Sequence, residues 1–280
     1  MQESSQLDPL RSIYRKVRSL GRRLIPQPPP PLLSIPDGQN RVGDFDESDI
    51  FVVSYPRSGN NWFQYLIFEI IYGVNIHIAP LKLLQELSID LNFKQSYTRY
   101  RTPCFFKSHN LPLPEYRRVV YLLRDGRDAM VSYFHHIKAT NGIEDLDELD
   151  VLRNGTYLTY GKWQDHVEQW LENPYQSDML MIKYRDLMND PIATLNKFCA
   201  FAGVERDTDF IEQAVARTSF SVMQNTEKVA GWAPKDYPKD KHFVRRGKVG
   251  SYKDEMSPEV LKEFLLQAGD TLRKVGYEID

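Results

Sequence analysis

Cysteine is nearly absent from this sequence: Cys104 and Cys199 are the only two among 280 residues. Both lie in apolar runs, which favours free buried thiols and a reducing compartment over a disulfide. No Cys/His spacing suited to a metal occurs, so no metal is expected. No apolar h-region stands between Met1 and Leu20, so no secretory signal is expected and the chain reads as cytoplasmic and soluble. The one stretch that mimics a membrane span, Trp62–Leu81, carries Gln64, Glu69, Asn75, His77 and Pro80, which argues against a spanning helix. Neither sign of charge dominates: 36 Lys and Arg face 38 Asp and Glu, so nucleic acid is not an expected partner. A local basic pocket remains compatible with that balance. The ATPase phosphate loop G-x-x-x-x-G-K-[ST] is missing throughout.

What is present divides unevenly. Arg11, Arg15, Lys16, Arg18, Arg22 and Arg23 form a basic segment that runs into Pro26 and Pro28–Pro31. Such a proline run favours extended chain. Residues 1–45 therefore read as a flexible extension, either solvated or in weak contact with an anionic membrane surface or a partner. Residues 46–280 read as one domain, with 41% hydrophobic and 26% charged residues overall.

Within it, β-rich runs alternate with amphipathic stretches. Strands are expected at Ile50–Ser54, Cys104–Lys107, Val119–Leu123 and Met179–Lys183. Helices are expected at Trp62–Tyr72, Asp128–Ile137 and Tyr160–Leu171, the last with Trp163, Val167, Trp170 and Leu171 on one face. Asp190, Pro191 and Gly203 frame a further helix, and Ser257-Pro258 opens the last, with Leu261, Phe264 and Leu265 inward. This order predicts an α/β fold whose central, mostly parallel sheet is flanked by helices, a P-loop-like nucleotide-binding architecture.

Tyr55-Pro-Arg-Ser-Gly-Asn-Asn-Trp62 follows the first strand and opens a helix. A strand–turn–helix of this kind aims unpaired N–H groups and the helix dipole at one point. Gly59 admits close approach, Arg57 adds charge, and Ser58, Asn60 and Asn61 add donors for a phosphate. Val119–Ser132 repeats the plan, with Arg124 at the strand end and Ser132 two turns on. Phe243-Val-Arg245-Arg246-Gly247 sets two guanidinium groups beside a glycine, a grouping that suits phosphate. His109 follows Lys107 just past a strand end, and an imidazole accepts protons near neutral pH. His135 and His136 are weaker candidates, one of them facing outward.

These segments, in this order and spacing from Asp49 to Glu255, resemble the cytosolic-type sulfotransferase family, which uses PAPS (3'-phosphoadenosine 5'-phosphosulfate). The resemblance implies a 5'-phosphosulfate loop at Arg57–Trp62, where many members have Lys for Arg57 and two threonines for Asn60 and Asn61. It implies a 3'-phosphate site at Arg124, Ser132, Arg245, Arg246 and Gly247, and a base at His109 with Lys107 and Arg57 stabilising charge. Trp62, Tyr184, Thr218, Phe220, Met223 and Phe243 match by position around the adenosine, although each aromatic also suits a core. The expected reaction transfers the sulfuryl group of PAPS to an acceptor hydroxyl and releases PAP (3',5'-ADP). Small molecules, sugars, lipids and peptides all remain open as acceptors, and Tyr97, Tyr100, Phe105, Phe134 and Tyr160 suit either an acceptor pocket or the core. Asn225–His242 is expected to form a lid. The family's dimerisation motif is not recognisable past Lys253, which leaves the oligomeric state open. The rival readings are a nucleotide kinase and a non-catalytic PAP-binding module.

Overall fold

The computed structural model describes residues 35–230 and 246–279. Gln39–Asp280 forms one compact unit, and of the preceding unit only residues 35–38 are described. Most of the expected extension, and the expected lid beyond Ala230, therefore lie outside the described residues.

The strands are β1 (Asn40–Arg41), β2 (Ile50–Ser54), β3 (Ile89–Asp90), β4 (Ser96–Tyr97), β5 (Phe105–Ser108), β6 (Arg118–Leu123) and β7 (Asp178–Lys183). The helices are α1 (Asn60–Ile70), α2 (Leu81–Leu87), α3 (Gly126–Asn141), α4 (Glu148–Asn154), α5 (Trp163–Glu172), α6 (Tyr184–Asn189), α7 (Pro191–Ala202), α8 (Thr208–Arg217), α9 (Phe220–Ala230), α10 (Tyr252–Glu255) and α11 (Pro258–Lys274). β3, β5, β2, β6 and β7 make a parallel sheet in that order, and β1 pairs with β4 antiparallel.

Alternation along β2 explains the layering. Phe51 and Val53 face a cluster completed by α3, α5 and α11, while Ile50 and Val52 face another completed by α1, α7 and α8. A parallel strand covered on both faces favours an unbroken apolar run, and Ile50–Val53 supply it, with Ser54 buried at the strand end. Packing begins ahead of the expected boundary at 46, because Phe45 meets Phe51 and Phe106 edge-on at 5.0 and 4.9 Å.

The expected caps hold. Asp190 accepts from the Ala193 N–H, Ser257 from the Val260 N–H, and Gly203 closes α7 in the left-handed region. One expectation fails: Leu171 is exposed, and His166 takes its place on the inner face of α5 beside Trp163, Val167 and Trp170. Cys104 and Cys199 are free and buried. No helix among the described residues is long and apolar enough to cross a membrane.

Candidate active site

Four chain segments leave the carboxyl edge of the sheet side by side. Strand register sets Val53 beside Ser108, Ser54 beside Leu122, and Leu123 beside Lys183. The loops after β2, β5, β6 and β7 therefore open onto one crevice, where the strand order reverses about β2.

The loop after β2 is built for close approach. Arg57 and Gly59 both adopt positive φ, 69° and 95°. A Cβ at Gly59 would stand 2.8 Å from the Tyr184 ring, so only glycine fits between loop and ring. Gly59 caps α1 without a side chain, which leaves the first-turn N–H groups for another acceptor. The Ser58 hydroxyl is buried and has no hydrogen-bond partner. Arg57 Nε donates to Ser132 Oγ at 3.1 Å.

Arg124 comes from the end of β6 and binds this loop directly. Its Nη1 donates to the Arg57 carbonyl at 2.9 Å, and its guanidinium lies 4.8 Å from the Tyr184 ring centroid. Its Nε is buried without a partner. Neither nearby carboxylate holds it in an ion pair: Asp125 pairs with Arg127 at 2.7 Å, and Asp128 accepts from the Gly250 and Tyr252 N–H groups. Trp62 meets Tyr184 edge-on at 5.8 Å and donates its indole N–H to the Thr218 carbonyl at 2.9 Å. Phe220 packs so closely on Gly247 that a Cβ there would overlap its ring, and Met223 is buried. Arg57, Ser58, Gly59, Trp62, Arg124, Ser132 and Tyr184 thus come together at this edge.

Other expectations need correcting. Asn60 turns inward, its Nδ2 within 3.2 Å of the Val52 carbonyl and Ser54 Oγ and 3.4 Å of the Ser108 carbonyl. It clasps the ends of β2 and β5 rather than facing an anion, because the amide satisfies buried strand-end acceptors. The Thr218 hydroxyl is fully buried and bonded to the Ala214 carbonyl, so only its backbone serves the crevice. Arg246 reaches Glu255 at 3.1 Å. Asn61 stands partly exposed in the first turn of α1. Phe243 and Arg245 lie outside the described residues. Of the proposed acceptor wall, Phe105 and Phe134 belong to the two cores, and Tyr97 and Tyr100 bond to Asp44 and Glu86.

His109 stands one residue past β5. Its Nδ1 donates to the Ser54 carbonyl at 2.8 Å, which leaves the Nε2 lone pair for a proton. Burial, and then the Lys107 charge, push the ring pKa down to about 4, so the imidazole is neutral at physiological pH. Lys107 is itself paired with Asp90 at 2.8 Å, a contact set by the β3–β5 register. Asn92 binds Asp90 and accepts from the Tyr160 hydroxyl, whose ring lies 5.5 Å from His109. Of the other two candidates, His135 faces outward to Glu255, and His136 is held to a pKa of about 4 by burial and then Arg57.

Asp90, Ser54 and His166 were not foreseen. The two-residue strand β3 leaves no periodic signal, and Ser54 acts through its backbone. His166 did leave one: a polar ring at helical spacing between Trp163 and Trp170 on an apolar face.

The sulfotransferase domain model matches residues 47–275. Sulfotransferase 1B1 of Mus musculus is 26% identical over 252 residues, covering 80% of this chain and 83% of the relative. Among solved structures, mouse sulfotransferase SULT7A1 complexed with PAP aligns at TM-score 0.60 and 23% identity, over 83% of this chain and 86% of that one. Retinol dehydratase in complex with retinol and PAP aligns at TM-score 0.66 and 20% identity, over 84% of each chain.

Proposed function

Because the chain belongs to the sulfotransferase domain family, we propose that it transfers the sulfuryl group of PAPS to the hydroxyl of an acceptor and releases PAP. Two relatives of the same fold are PAP complexes, and one of them also holds retinol. The residues present fit such a polyanion. Ser58 Oγ and Arg124 Nε are buried donors without partners, and Gly59 leaves a cradle that a Cβ would fill.

The observation that carries the reading is the His109 ring, with Nδ1 spent on Ser54, at the same sheet edge as Arg57 and Arg124. When bound, the donor supplies a sulfuryl group on a good leaving phosphate. The N–H groups of the Ser58–Asn61 loop and the Arg57 charge hold the 5' side. Arg124 and Ser132 hold the 3'-phosphate, because a hydroxyl that accepts from Arg57 still has its own proton to donate. Arg246, which shares its charge with Glu255, and Gly247 complete that site, and Trp62, Tyr184, Phe220 and Met223 bound the adenosine. His109 Nε2 takes the acceptor's proton as that oxygen bonds to sulfur and the bridging S–O bond breaks. Lys107 gives one hydrogen bond to Asp90 and keeps two donors for the charge that develops. The buried free thiols of Cys104 and Cys199 support a cytoplasmic setting.

His109→Ala tests the base. Turnover, followed as PAP release with mixed acceptors, should fall by about two to four decades. PAP affinity by calorimetry should hold. Loss of both together would count against the assignment.

A further inference from the structure

His166 is fully buried on the inner face of α5. A polar ring on such a face must satisfy both nitrogens. Its Nε2 lies 3.0 Å from the backbone carbonyl of His109, 57 residues earlier in the chain. Its Nδ1 lies 3.0 Å from the Tyr121 hydroxyl. A carbonyl only accepts, so the proton sits on Nε2 and Nδ1 receives the Tyr121 O–H. One neutral tautomer satisfies both contacts. The Tyr55 ring meets the imidazole edge-on at 5.6 Å and the Tyr121 ring stacks on it at 5.9 Å. Burial holds its pKa down to about 4, so this tautomer persists at neutral pH.

Resting on the histidine-base reading above, we propose that His166 is a positioning residue whose Nε2–H fixes the His109 carbonyl and thereby aims the His109 ring. The ring is tied at Ser54, and the next carbonyl, of Asn110, accepts from Trp170 Nε1 at 3.2 Å. His166 supplies the anchor between them. Without it the peptide plane after His109 can tilt, and the base moves with it. A misplacement near 1 Å costs about a hundredfold in rate. An apolar side chain would fill the same space, so what distinguishes histidine here is the proton it presents to that carbonyl.

Two amide variants separate the roles. His166→Gln places a donor where Nε2 stood; His166→Asn is shorter and reaches only the Nδ1 position. The Gln variant should keep kcat within about fivefold, and the Asn variant should lose about 30- to 100-fold, with PAP affinity and KM within about twofold in both. Nitrogen-resolved imidazole NMR of the unmodified protein supplies a check that needs no variant. His166 should show a protonated Nε2 and a bare Nδ1 at pH 6 to 7. Unchanged kcat in the Asn variant, or equal losses in Asn and Gln, would overturn the proposal. So would an Nδ1–H tautomer or an imidazolium, and that spectrum decides if the Asn variant does not fold. Failure of the unmodified protein to release PAP would instead count against sulfuryl transfer itself.

Discussion

Lowering the pH from 7 to 5.5 should cost the fold about 4 kcal/mol through three histidines. His109, His136 and His166 are each held to a pKa of about 4, burial being the largest cause in all three. The unfolded chain titrates near the ordinary value of about 6.5. Between those values the unfolded chain binds protons that the native state refuses. The stabilisation is complete above about pH 6.5 and is lost as the pH falls toward about 4. Each histidine accounts for about 1.2 kcal/mol of the loss between pH 7 and 5.5, and three for nearly 4. That is an upper bound, since His109 and His136 keep a partly wetted edge. Below pH 5.5 the slope approaches about 4 kcal/mol per pH unit. A domain at the low end of the usual range, about 5 kcal/mol, would then unfold before its carboxylates titrate. Urea unfolding at pH 7.5, 6.5 and 5.5, followed by tryptophan fluorescence, measures the effect. His136→Gln should remove a third of the slope. Stability flat within about 1 kcal/mol across that range would refute the reasoning.

Gly59→Ala should cost about 2–4 kcal/mol, from positive φ together with overlap on Tyr184, and should weaken PAP binding by displacing that ring. Undiminished PAP affinity by calorimetry would contradict the cradle. Asn60→Ala should destabilise by about 1–3 kcal/mol, because it frees buried acceptors on β2 and β5. Its PAP affinity should stay within about threefold, given an inward side chain. A collapse of PAP binding at unchanged melting temperature would return Asn60 to the phosphate site.

The fold was readable because its signals were local. The apolar run at Ile50–Ser54, the Asp190-Pro191 start and the glycine at 203 each declare an element from a few neighbouring residues. The crevice at the sheet edge was readable for a related reason: Arg57, Gly59 and Arg124 sit at strand ends, whose direction the parallel sheet dictates. Polar side chains were harder. Asn60 and Asn61 look alike in sequence, yet the first turn of α1 buries one and leaves the other partly exposed. Lys107 reads as a free cation until register sets Asp90 beside it. Thr218 occupies the expected segment, but its hydroxyl is consumed by the helix before it. Each of these outcomes depends on a partner distant in the chain.

The grip of α5 on residues 109 and 110 bears on how incomplete genes are interpreted. A product ending ahead of Trp163 would retain the arginine turn, the histidine and the second basic corner, and would pass any search keyed to those signatures. It would nonetheless lack β7 and both side chains that hold the carbonyls of residues 109 and 110. Counting such fragments as intact domains overstates a genome's capacity, and asking whether the α5 segment is present guards against that error.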